Sequence, residues 1–413
     1  MRLQACIAAL RKPQGPGLIL GTALTSFGVL VLARMLLSTL PEPTPASSDA
    51  QLEAERHWSL DPERRRLAAL LLSSRHPHQP EQQWSWLRGQ GWGTTALAAA
   101  VLKQQAQAAA QLGRQDEAEQ RWQQLAFRLP DAASTADALY ALGRDQPKLR
   151  TALLRRFPSH PAALAAALEQ ASDTALPARQ RLLAARHLAR FGPRWPGAGA
   201  VLQEQCERAM GRQQTQSRQE LAVGLARLGA GREAKHCLAQ SARSLNTPAD
   251  TVAVATSLLQ GPAGEDPALA TEGRNALIGL LRRWPRAAET DAALRLLADD
   301  PSQAGLEALQ ALPPRWRQQA PVQARLALEG QANGLQVLKR WPDDPASWEL
   351  RWQLARRALL QRRWPQVRAL LAEPQQRRRP APLAARERFW LAVSLEHLEQ
   401  KQQARRLWQD LLQ

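Results

Sequence analysis

The sequence predicts an all-α protein, and three observations carry that reading. Ala, Leu, Gln, Arg and Glu dominate, while strand-favouring aromatics are scarce, with one Tyr and five Phe among 413 residues. No stretch alternates apolar and polar residues over a strand length. Short amphipathic segments instead alternate with Gly and Pro punctuation. A hydrophobic share of 44% beside 22% charged residues excludes a mostly disordered chain. Three cysteines, Cys6, Cys206 and Cys237, are too few for a disulfide framework or a zinc cage of their own.

Residues 1–40 read as a signal-anchor. Arg2, Arg11 and Lys12 precede an uncharged run from Pro13 to Ala33; Arg34 interrupts it and Met35 to Leu40 continue apolar. The run approaches the roughly 20 residues needed to cross a bilayer, and Arg34 can snorkel. Positive charge ahead of it predicts a cytoplasmic N-terminus, a single pass through the inner membrane and the remainder in the periplasm. A cleaved signal peptide is the competing reading, with Ser48-Asp49-Ala50 as a small-x-small site far from the apolar core; the length favours an uncleaved anchor. Residues 41–50, with Pro41, Pro43 and Pro45, read as a semi-rigid spacer holding the next domain off the membrane.

Residues 51–413 read as an array of helical hairpins. In Ala96–Leu129 a first helix through Leu97, Val101 and Ala108 stops near Leu112-Gly113-Arg114, where Gly113 suits a left-handed cap. Asp116-Glu117 opens a second helix at the positive end of its dipole, and Ala118, Trp122, Leu125 and Leu129 form its apolar face. The same turn recurs at Leu228-Gly229-Ala230-Gly231 and Leu398-Glu399-Gln400-Lys401. A second junction joins a basic residue, an aromatic and a proline: Arg156-Phe157-Pro158, Arg194-Trp195-Pro196, Arg283-Trp284-Pro285 and Arg340-Trp341-Pro342, with a looser version at Arg128-Leu129-Pro130. The ring closes the seam between helices, the arginine meets the negative helix end and the proline forbids continuation. The spacing is irregular, so the array is a degenerate helical-hairpin solenoid.

The hairpins resemble tetratricopeptide repeats, whose inter-helix turn is similar to Leu112-Gly113-Arg114-Gln115-Asp116-Glu117-Ala118. Toward the C-terminus, Arg340-Trp341-Pro342-Asp343-Asp344-Pro345, then Arg388-Phe389-Trp390-Leu391-Ala392-Val393-Ser394-Leu395-Glu396 and Ala404-Arg405-Arg406-Leu407-Trp408, resemble the α-superhelical region of the soluble lytic murein transglycosylases. That resemblance implies a tetratricopeptide-like superhelix, a periplasmic location and association with peptidoglycan or a cell-wall enzyme. The family's catalytic domain carries its acid/base glutamate in a Glu-Ser dipeptide. None occurs in these 413 residues, so the resemblance implies a non-catalytic scaffold. A general tetratricopeptide-type protein–protein interaction adaptor at the membrane is the alternative.

The candidate sites follow from composition. Glu53, Glu55 and Glu63 sit beside arginines in helical patterns and read as solvated or ion-paired surface residues. His76-Pro77-His78 has too few ligands for a metal and reads as a loop; no metal and no cofactor are expected. Cys206 and Cys237 lie among Ala and Leu as small core residues, with a disulfide between them open outside the cytoplasm. Most of the 14 Trp read as fillers of helix seams. Trp84, Trp86 and Trp92, around Gly89, Gly91 and Gly93, are the candidates for an aromatic ligand platform. The net charge of +18, with runs at Arg64-Arg65-Arg66 and Arg377-Arg378-Arg379, predicts affinity for polyanions. Beyond a membrane, wall polymer and lipid head groups are the expected partners rather than nucleic acid, and Arg377, Arg378 and Arg379 join the candidate ligand-binding residues.

Overall fold

A computed structural model describes residues 42–144, 146–209, 215–238, 245–372 and 380–412. The predicted anchor, Cys6 and the Arg377-Arg378-Arg379 run lie outside them. All regular structure among the described residues is helical, and no helix there is long and apolar enough to cross a membrane. The chain forms two compact units that divide after Glu169.

The first unit contains α1 (Asp49–Trp58), α2 (Pro62–Arg75), α3 (Pro80–Leu87), α4 (Ala96–Gln111), α5 (Gln115–Arg128), α6 (Thr135–Leu142), α7 (Pro147–Arg156) and the start of α8 (Pro161–Ser172). Each helix from α1 to α6 packs on the next, and α2, α4 and α6 also touch in succession. The core is built of Ala and Leu, including Leu102, Leu125, Leu139 and Leu153, with Trp122 and Phe157 packed against its edge.

The second unit continues with α9 (Ala178–Phe191), α10 (Ala198–Ala209), α11 (Thr215–Arg227), α12 (Gly231–Cys237), α13 (Pro248–Leu259), α14 (Gly261–Gly264), α15 (Pro267–Arg283) and α16 (Glu289–Asp299). It ends with α17 (Gln303–Gln310), α18 (Pro314–Arg317), α19 (Ala320–Leu328), α20 (Gly334–Arg340), α21 (Pro345–Leu360), α22 (Trp364–Leu371), α23 (Ala381–His397) and α24 (Lys401–Leu411). One row of helices, α9, α11, α13, α16, α19 and α21, touches in sequence. Trp341 and Trp390 pack against the core around Leu338, Leu350 and Leu371.

Two junctions, each with one chemistry, repeat through both units. In the first, a helix ends in a left-handed residue: Gly113 (φ 74°), Gly229 (85°), Gly330 (75°), Arg362 (54°) and Glu399 (61°). The next amide then bonds back five residues, Arg114 to Ala109 (2.9 Å), Ala230 to Leu225 (3.0 Å), Gln331 to Leu326 (2.8 Å), Arg363 to Ala358 (2.9 Å) and Gln400 to Leu395 (2.8 Å). This closes the helix end on its own last carbonyls. In the second, the residue before a proline cannot stay helical. Leu129, Phe157, Trp284 and Trp341 accordingly cap their helices with φ of −125°, −128°, −127° and −131°. The arginine before each ring folds over it, at 5.6 Å for Arg156 on Phe157, 4.4 Å for Arg283 on Trp284 and 4.6 Å for Arg340 on Trp341. The Arg194-Trp195-Pro196 version differs: α9 already stops at Gly192, ahead of Pro193, and Trp195 lies in the following turn.

The proline-rich segment departs from a free spacer. Pro43 is buried, and Arg75 donates to the carbonyls of Pro45 (2.7 Å) and Ser47 (2.5 Å). Asp49 is not spacer but the first residue of α1, and Ser48 forms a capping box with Gln51. Hydrogen bonds from Arg75 and then His76 hold the Asp49 carboxyl below its ordinary value.

Cys206 and Cys237 are both buried, as core residues should be, and they are also joined in a disulfide with Cα atoms 5.6 Å apart. Their helices, α10 and α12, lie against each other, which supplies the geometry that spacing alone left open.

Candidate functional site

The three tryptophans of the predicted platform separate into different roles. Trp86, on α3, is buried against Leu52, Ala68 and Leu72, and its indole N–H donates to Glu53. Trp84, two residues earlier, faces another side of the helix and is half-buried, with Arg114 and Arg121 each 5.9 Å from its ring centre. Trp92 lies on the loop between α3 and α4 and is 70% exposed, with Arg128 over its ring at 5.2 Å. Arg114, Arg121 and Arg128 are seven residues apart, so α5 and its cap present them in one stripe.

The exposed ring of Trp92 is held in place by a buried charge. Arg66 of α2, only 8% exposed, donates through Nε to the Gln90 carbonyl (3.0 Å) and through Nη2 to that of Trp92, and pairs with Glu63. Gly93 next to it has φ 116°, and a Cβ there would stand 2.9 Å from Arg66 Nη2, so the position accepts glycine alone. From the other side Gln105 donates to the Leu87 carbonyl (2.5 Å), and a Cβ on Gly91 would meet Leu102 at 2.8 Å. The loop is therefore fixed at both ends, and Trp92 stands out from a rigid base.

Beside it opens a groove of ≈ 460 Å³, whose polar wall includes Thr94, Thr95, Asp131 and Ser134 over a floor of Ala96 and Ala99. Arg128 belongs both to this wall and to the Trp92 stack. Trp92 does not itself line the recess; Arg128 joins its exposed ring to the hydroxyl-bearing wall, and the combined surface suits a ligand with flat apolar faces and a polar, anionic edge. Among the described residues, no group of three or more His, Cys, Asp or Glu side chains is placed to hold a metal.

Several charged residues differ from their expected surface roles. Glu55 is buried and pairs with Arg64 at 2.5 Å, because α1 and α2 press the two together. Of the Arg64-Arg65-Arg66 run, Arg64 and Arg66 are thus used inside the unit rather than offered to a polyanion. Glu53 and Glu63 are ion-paired as expected, with Arg56 and Arg66. His76 and His78 lie in a turn, His76 against the ring of Trp86 at 5.2 Å. Sequence reasoning missed Arg128, Thr94, Thr95 and Ser134; the seven-residue arginine repeat was the one signal available for the first.

Comparison with known proteins returns no matching family model and no matching curated protein.

Proposed function

We propose that this chain is a non-catalytic binding scaffold of tetratricopeptide-like hairpins, anchored by residues 1–40 in the inner membrane and working in the periplasm. Its ligand is the glycan of the cell wall, held at the Trp92 groove of the first unit. The observation that carries this reading is the rigid, exposed Trp92 ring beside a hydroxyl-lined recess. A sugar ring stacks its C–H face on an aromatic, while its hydroxyls and carboxylates reach the polar wall and Arg128. The Cys206–Cys237 bond supports the location, since such bonds persist in oxidising compartments. The resemblance of residues 340–413 to lytic transglycosylases supports the wall as the source of the glycan.

The test is co-sedimentation of the full chain with insoluble peptidoglycan at low salt. Wild type is expected in the pellet, and Trp92→Ala should lose at least tenfold in apparent affinity while Trp84→Ala loses less. Wild type remaining in the supernatant, or Trp92→Ala pelleting like wild type, rejects the reading in favour of a protein-docking adaptor.

A further inference from the structure

The second unit contains a groove that the wall reading does not use. It is ≈ 560 Å³, within the range of small-ligand sites, and is walled by α16, α19 and α21, three successive members of the helix row. Its floor is apolar and small, with Ala298, Ala324 and Ala346. Around that floor stand Arg295, Asp299, Arg325, Glu349 and Arg357.

Two of the arginines are already committed. Arg295 grips Asp291 (2.8 Å) and Asp344 (3.3 Å), and Arg325 pairs with Glu329 (3.0 Å). The other three charges are left over. Arg357 donates to the Leu328 carbonyl (2.8 Å) and has no carboxylate within ion-pair range among the described residues. Glu349 accepts only from the Gln353 amide (2.6 Å), and Asp299 has no ion-pair partner among them. All three side chains are exposed to the groove. Although solvent reaches Asp299, partial desolvation by the surrounding helices raises its carboxyl above the ordinary value; Arg295 opposes this and the negative charge of Glu349 adds to it. An incoming cation relieves that repulsion.

The spacing sets the ligand's length. Glu349 and Arg357 lie on one face of α21, eight residues apart. At about 1.5 Å per residue that is roughly 12 Å along the helix. An extended peptide covers about 3.3 Å per residue, so roughly four residues bridge the two charges. We propose that this groove binds a linear peptide of about four residues with free ends, its ammonium between Asp299 and Glu349 and its carboxylate on Arg357.

Titration calorimetry of the full chain with tetra-alanine tests this, using the N-acetylated and C-amidated forms for comparison. The free tetrapeptide should bind saturably, and either block should weaken it at least tenfold. Glu349→Gln should remove the preference for the free amine, and Arg357→Gln the preference for the free carboxylate. Both side chains are exposed, and an unchanged melting temperature shows that each variant folds. No saturable binding of tetra-alanine, or equal binding of free and blocked forms, overturns the proposal. The Trp92→Ala variant should bind the peptide like wild type, so this result stands apart from that of the wall assay.

Discussion

The Trp92 recess of the first unit and the charged groove of the second are built by opposite means. The recess depends on a loop, and a loop has no helix backbone to fix it. The chain therefore places a buried guanidinium, Arg66, beneath Trp92 and adds a glycine at the one position where a side chain would collide with it. The groove is carried by three helices whose backbones are already rigid, so its charges are not needed for support and Asp299, Glu349 and Arg357 stay available. A surface on a loop is thus a single point of failure, whereas one spread over a helix row is distributed.

Arg66→Leu attacks that difference most directly. It strands two carbonyls and the Glu63 carboxylate, and should cost about 3–5 kcal/mol. Hydrogen exchange should report the loss in the first unit, together with increased mobility of Trp92; equal loss of protection in the second unit would break the comparison. Next in size, Cys206→Ser with Cys237→Ser removes a cross-link closing 31 residues and should cost roughly 3 kcal/mol in the second unit. Wall binding by Trp92 should survive it, as checked by co-sedimentation.

Acid has a milder effect. Burial raises the Asp300 carboxyl, but bonds from Ser302 and Arg274 outweigh it, so the group lies below its ordinary value. A depressed carboxyl stabilises the fold above its unfolded pKa, and that stability is lost as pH falls through the folded value. Denaturant midpoints between pH 5 and pH 2 should therefore fall more steeply for wild type than for Asp300→Asn. The smallest effect is a gain. Glu399 occupies a left-handed turn that Gly113 fills elsewhere, so Glu399→Gly should stabilise by about 1 kcal/mol and Gly113→Ala destabilise by a similar amount in thermal melts.

The junctions were legible because their chemistry is local. Gly113, Gly229 and the proline pairs at Phe157, Trp284 and Trp341 act through neighbours within five residues, and the sequence displays those neighbours directly. The site was less legible because its determinants lie far apart in the chain. Arg66 reads as one member of a basic run, and nothing nearby announces that its partners are Gln90 and Trp92, 24 and 26 residues later. Trp84 and Trp86 look equivalent until helix geometry turns one of them toward Leu52 and Leu72. The disulfide was undecided for the same reason: two cysteines 31 residues apart become neighbours only when α10 and α12 pack.

That bond also bears on how the chain is made. Its two cysteines lie on α10 and α12, which only α11 separates, and Cys6 is the one other cysteine among the 413 residues. Once α12 emerges, its partner on α10 has already been made. The bridge can thus close in one oxidation step while later helices are still being synthesised, leaving a clasp on which the remaining hairpins assemble.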